Sequence, residues 1–482
     1  MEKIKLANHI KRGDTFHTPF TDPNGLGASF TLSSWSKNSL PEYLWIGLII
    51  SKIGRKKGFE QLFRIMEELN TNDICIPQLS KISCLPEEKR KKYWDIVFSC
   101  VGVEELSSLT VIITPDIDEY LYCKCFDYSN CVEDNLSELV ELIKQCSGFH
   151  YELTTDICFI VDWFYVKSGR LKLSSELDLL PEALTQYYNH GHEDEIMKMY
   201  CPMIRSTFQG VSMMDIDGKW SEKIWTRLGE LSECTPFYIE WENKWNMDFY
   251  NDAKSVIEYF SSTNEDKKLS SKYSVIMGIS CYIFKLYSDI TRKELYNDLS
   301  GRIVFRAMID AYINLKYLML QEVTVDDVYD RFKAYGIGKY KLVMAKLREG
   351  KYNIPDDAQI EEKLMELLVN EETNEMFVEM SMGYFDKTKI RDKFFECNEQ
   401  LLYEIYYEYG TSYSHGFWGA MRESSMLKCD NPSHDYHSVP DYDGKQKLKS
   451  IDADCIMLMK KLFSQIGTYI DLPDFYLEKY PT

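Results

Sequence analysis

Beyond Lys219 the chain carries apolar residues at helical spacing in segments that run well past the ~11–12-residue mean of globular helices. These segments are 219–232, 243–262, 267–290, 293–321, 324–348, 357–382, 388–409, 411–428 and 445–470. Gly (24 residues) and Pro (14 residues) are scarce in a chain of 482, so there are few points at which such helices must break. Self-similarity at a period of roughly 20–50 residues is absent, which argues against a solenoid, and strict heptads are not sustained. The pattern predicts an irregular antiparallel bundle of long helices.

The first half is patterned differently. Residues 10–38 are rich in Gly, Pro, Ser and Thr and belong to an irregular N-terminal arm, 1–38. Ser39-Leu-Pro-Glu42 has capping-box spacing ahead of the apolar run YLWIGLIISKIG, so a helix is expected to start there. Further helices are expected at 58–69, at 86–101 with Glu87 and Glu88 suiting the first-turn dipole, and at 133–146, 152–167, 181–189 and 192–208. Leu109–Thr114 is the one strand-like run, and such a run is more often an extended connector. Periodicity fails over Gly210–Gly218, which sets the expected boundary between an N-terminal helical domain, 39–212, and a C-terminal bundle, 213–482. The expected fold class is all-α with two domains.

Composition narrows the chemistry. Apolar residues make up 45% of the chain, with 9 Trp, 34 Tyr and 24 Phe, which is ample for packed cores. Against 56 basic residues stand 76 acidic ones, and the net charge of −20 disfavours passive binding to phosphate backbones. The longest apolar run, Leu44–Ile53, falls short of the roughly 18–20 residues a bilayer span needs, so no membrane association is expected. The N-terminus has no secretory pattern, and the fourteen cysteines are scattered, many within apolar helical patterns, as in a reduced cytoplasmic protein. Phosphate loops of the GxxxxGK[ST] type, GxGxxG, HExxH and GxSxG are all missing, which removes support for ATP hydrolysis, nicotinamide chemistry and zinc proteolysis.

Three constellations could carry chemistry. In GRIVFRAMIDAYINLKYL, Arg302, Arg306 and Asp310 are spaced i, i+4, i+8 on one helical face. An arginine there could grip a phosphate or carboxylate with Asp310 orienting it, or the pair could be an ordinary surface ion pair. In TSYSHGFWGAMRESS, a continuous helix would put His415 and Arg422 two turns apart on one face. Imidazole can move protons while guanidinium steadies developing negative charge, but a histidine can equally serve as a hydrogen-bonding core residue. In the third, Cys429, His434 and His437 could supply three zinc ligands, with a fourth from Asp435 or a distant cysteine. The bland alternative is a polar loop between two helices, since Asn, Pro and Ser are turn residues. His190-Gly-His192 is expected as a turn into an acidic helix start, and Cys123, Cys125 and Cys131 lack a CxxC pair. Neither a metal nor another cofactor is expected.

The pair GRIVFRAMIDAYINLKYL and YGTSYSHGFWGAMRES resembles a bacterial domain family of unknown function with an Arg-x-x-x-Glu/Asp helix and a later Ser-x-x-His or Ser-His helix. That family looks like a distant relative of the HEPN helical bundles, many of which are metal-independent ribonucleases of toxin and antiviral defence systems. The resemblance covers roughly residues 265–425, and LPEYLWIGLIISKIGRKKGFEQL resembles the opening of longer members. It implies RNA cleavage by a homodimer, with His415 as general base and acid, Arg306 and Arg422 stabilising the transition state, and Asp310 orienting Arg306. The N-terminal domain would then be a sensor or partner-binding module. The Arg and His that HEPN nucleases place close together on one helix are not paired in this way here, so the site would be assembled across helices. A non-catalytic helical interaction protein, binding a protein partner or small ligand, is the alternative.

Overall fold

The computed structural model describes residues 6–18, 34–129, 131–172, 179–212, 218–242, 244–263, 270–351, 354–355, 357–380, 386, 388–434 and 437–480. Most of the expected arm (1–5 and 19–33), most of the Gly210–Gly218 break and Asp435 lie outside the described residues. The fold is all-α: 70% of it is helical, and the sheets are a hairpin, Ile10–Arg12 with Thr15–His17, and one small three-stranded sheet. No helix among the described residues is long and apolar enough to cross a membrane.

By internal contacts the chain forms two units. The first comprises Met1–Phe237 together with Lys428–Ser438, and the second Tyr238–Leu427 together with Val439–Thr482. Helix Gly218–Leu231, grouped with the C-terminal bundle in the sequence reading, packs Trp220, Ile224 and Leu228 into the first unit's core.

In the first unit, helix Leu40–Ile53 is apolar on every side and buried from Leu40 to Ile50, as expected of an element at the centre of a core. Trp45 lies edge-on to Tyr93, Trp94 and Phe164, and donates its indole N–H to the Pro77 carbonyl at 2.8 Å. The expected capping box is not used. Ser39 closes a π-turn over Trp35–Ser39 that runs directly into the helix, so its backbone is already helical and its side chain makes no cap. Glu42 is instead buried and accepts from the Ser80 N–H at 2.9 Å. The strand-like run Leu109–Thr114 also resolves differently. Glu104–Val111 is a 3-10 helix whose Leu106, Leu109 and Val111 enter the core, so a β-branched run satisfies burial without a strand partner.

The second unit is built on helix Leu299–Gln321, which packs against Ser271–Arg292, Asp452–Ile466 and Glu408–Ser414. Its apolar residues Met308, Ile309, Ile313, Leu315 and Leu318 are fully buried. At its start Gly301 lies so close to the Leu295 carbonyl that no side chain fits. The expected helix 357–382 shrinks to Glu362–Val369 and a 3-10 turn, Glu375–Phe377. The polar run between them favours local bonds, with Asn374 accepting from the Met376 N–H at 2.9 Å. Buried Glu399 joins the bundle, bonded to Lys316 (2.6 Å), Lys461 (2.8 Å) and Tyr312 (2.9 Å). Burial alone would raise its pKa, but these three donors outweigh it and hold the carboxyl below its usual range.

Candidate functional site

Arg302, Arg306 and Asp310 rise in successive turns of helix Leu299–Gln321, and the two arginines are spent on different internal tasks. Arg302 is 5% exposed and donates to backbone carbonyls of Tyr296 (2.6 Å), Asp298 (3.4 Å) and Lys449. The side chain thereby ties the start of the helix to the Lys449 backbone. Arg306 ion-pairs with Asp310, lies 3.4 Å from the centre of the Tyr407 ring, and reaches Thr411 Oγ1 at 3.4 Å. Its aliphatic stem runs against Gly410, where a Cβ would meet it at 3.0 Å, so this glycine is what lets helix Glu408–Ser414 approach. Desolvation pushes the Asp310 carboxyl above its usual range while Arg306 pulls the other way. The carboxylate is half-exposed and lines a cleft of about 400 Å³ with Tyr282, Asn314 and Phe332, in which it is the one charged side chain.

The expected continuous helix 411–428 is broken. Its first part ends at Ser414, and Gly416 takes φ +62°, a left-handed conformation that glycine adopts at no steric cost. A second helix runs Trp418–Ser425. His415 and Arg422 therefore do not share a helical face. His415 caps the first segment with its N–H donating to Thr411 O at 3.0 Å, while its exposed ring stacks on Phe417 at 5.7 Å. Among the described residues the imidazole has no hydrogen-bond partner. Arg422 turns away and donates to its own chain at Met426 O, 2.6 Å. The neighbouring Glu423 takes its place, accepting from Tyr409 (2.8 Å) and Tyr413 (2.7 Å) across the break. Sequence spacing had marked Arg422 and passed over Glu423. The structure thus unites Arg306 with Asp310, and leaves His415 and Arg422 on separate local partners.

The third constellation changes most. Cys429 ends strand Met426–Cys429 and pairs with Pro236, and a 3-10 turn, Pro432–His434, follows. The Cys429 N–H donates to His437 O at 2.9 Å, and the Asn431 amide donates to Glu233 O at 3.0 Å. These bonds fold 428–438 against 232–237, all within the first unit. They bring Cys234, which spacing had not picked out, to the group. The Cys234, Cys429, His434 and His437 ligand atoms all lie within 4.8 Å of one another. The expected polar loop is therefore a strand and a turn converging on a fourth side chain.

The other histidine pair is structural. Arg55 clasps Asp156 at 2.9 and 3.1 Å and donates to His190 O at 2.7 Å, while His192 Nε2 meets Asp156 at 3.2 Å. Burial works against a charged imidazole, but Asp156 and Cys201 hold the His192 pKa up to about 9.

Residues 274–434, about a third of the chain, match a family of unknown function (DUF5677). Arg306, Asp310, His415, Arg422, Cys429 and His434 fall inside the match, and Cys234 and His437 outside it. No curated protein and no solved structure matches the chain.

Proposed function

We propose that the chain is a non-catalytic helical interaction protein that self-associates through the second unit. One observation carries this: a set of large apolar side chains left facing solvent along 401–421. Leu401, Ile405 and Tyr409 recur every four residues, and Phe417, Trp418 and Met421 follow beyond the break. Leu401 is 70% exposed and Trp418 65%, with the other four about half-exposed. Together they present on the order of several hundred Å² of apolar surface, the scale at which a patch marks an interaction site. A two-fold interface opposes a patch to itself, so an apolar one needs no complementary charge on its partner. A chain of net charge −20 is most readily approached by its own copy over side chains that carry none.

The commitment of the arginines supports the same reading, Arg422 being bonded to the Met426 carbonyl. Phosphoryl transfer needs a cation free to meet developing negative charge. Here Arg306 is held by Asp310 and Tyr407, and Arg302 by carbonyls. RNA cleavage by His415 with Arg306 is the rival, and one sample tests both. Light scattering of the purified chain is expected to give a dimer, and Leu401→Asp with Trp418→Asp a monomer of unchanged helicity. A monomeric wild type would overturn self-association. Cleavage of labelled RNA in EDTA by wild type, lost in His415→Ala, would overturn the non-catalytic reading.

A further inference from the structure

We infer that Cys234, Cys429, His434 and His437 form a tetrahedral zinc site that clamps the returning segment 428–438 onto the end of helix Gly218–Leu231. Zn–S and Zn–N bonds of ~2.3 and ~2.0–2.1 Å at tetrahedral angles place sulfur and nitrogen ligands about 3.5 Å apart. Cys234 Sγ lies 3.3 Å from His434 Nδ1 and 3.2 Å from His437 Nε2, and Cys429 Sγ lies 3.5 Å from His434 Nδ1. These three distances match edges of a coordination tetrahedron, and all four ligand atoms lie within 4.8 Å of one another.

Hydrogen bonds can join these four groups only in pairs, Cys234 with His437 Nε2 and Cys429 with His434 Nδ1, whereas a metal ion would join all four at once. Ser232 Oγ donates to Leu228 O at 2.7 Å, so it can only accept from His434 Nε2, 2.8 Å away. The Ser232 carbonyl, 3.2 Å from the same nitrogen, is also an acceptor. The His434 ring therefore carries its proton on Nε2 and presents a bare lone pair at Nδ1. Two sulfurs face that single lone pair, which can accept from one thiol only, so Cys234 sits 3.3 Å from a nitrogen it does not bond as a thiol. A divalent cation satisfies all of them: two thiolates neutralise it and two imidazoles complete the shell. Ser232 then acts as the outer partner that fixes ring orientation.

Four protein ligands leave no open position, so the site is structural and not hydrolytic. The first ligand stands 200 and 203 residues from the two histidines, so the metal closes a very long loop within one unit.

The test uses the full chain purified without chelator and kept reduced. Elemental analysis is expected to find one zinc per chain. Co²⁺ added to metal-stripped protein should give the intense visible bands of a tetrahedral two-sulfur site, abolished by Zn²⁺. Cys234 is exposed, so Cys234→Ser should keep wild-type helicity while metal retention against a chelator falls by about 100-fold or more. Ser232→Ala, which spares every ligand, should weaken retention by about 10–100-fold. Sub-stoichiometric zinc with an octahedral Co²⁺ spectrum, or undiminished retention in Cys234→Ser, would overturn the site.

Discussion

Asp162 offers a direct measurement of what an unpaired buried carboxyl costs. It lies in helix Glu152–Lys167, fully buried, and among the described residues neither carboxylate oxygen has a hydrogen-bond partner. Burial therefore drives its pKa well above the ordinary value. For an acid raised on folding, the contribution to stability is neutral below the unfolded pKa and turns unfavourable as pH climbs above it. Each pH unit between the unfolded value near 3.9 and the raised folded value costs about 1.4 kcal/mol, so the penalty at pH 7 has a ceiling of about 4 kcal/mol. Asp162→Asn keeps the shape and cannot ionise. Its amide N–H groups go unsatisfied too, which takes back about 1–2 kcal/mol. The variant should then be more stable at pH 7 by up to about 2–3 kcal/mol, with the advantage growing by up to ~1.4 kcal/mol per pH unit above pH 4. Urea unfolding followed by tryptophan emission reads this well, because Trp35, Trp45, Trp94, Trp163, Trp220 and Trp225 all belong to the first unit. Equal or lower stability of the variant at pH 8, or a difference flat from pH 5 to 8, would refute the reasoning.

Glu399→Gln should cost about 2–4 kcal/mol by leaving Lys316 and Lys461 facing a neutral group. Because Glu399 is depressed in the fold, its stabilisation is full above the unfolded carboxyl pKa and lost on acidification, so the variant should show a flatter acid limb in denaturant titrations. His192 has the opposite sign. Raised to about 9, it stabilises fully below its unfolded pKa of ~6.5 and loses this as pH rises through 9, so His192→Gln should flatten the alkaline fall in melting temperature. Gly301→Ala should cost about 2–4 kcal/mol, seen as an earlier thermal transition, because its Cβ would collide with the Leu295 carbonyl.

What could be read from sequence was set by how local the cause is. Helix Val132–Cys146 and the greater part of Leu299–Gln321 follow from apolar spacing alone, since each buries a face that its own residues define. The break at Gly416 was harder, because glycine is tolerated within a helix and only the packing of Tyr409 and Tyr413 on Glu423 makes a turn there worthwhile. The Arg306–Asp310 pair was legible from its four-residue spacing, and its capture by Tyr407 and Thr411 was not, as both lie on another helix. A distant cysteine was one of the two fourth ligands expected, but nothing local marked Cys234 as that cysteine. It is a solitary cysteine after a helix, and its partners are fixed by strand pairing across a long stretch of sequence.

The return of 428–438 to the first unit has a consequence in time. A growing chain that has reached Phe237 has made nearly all of that unit yet lacks its last strand and three of the four Cys and His side chains. At ~5–20 residues per second, the missing piece follows only about 10–40 s later. Throughout that interval Cys234 lacks the three side chains it converges with, and the second unit's helices are made while the first unit still lacks its last segment. No single cut of the chain frees either unit intact, and maturation of the earlier half waits on synthesis of the later one.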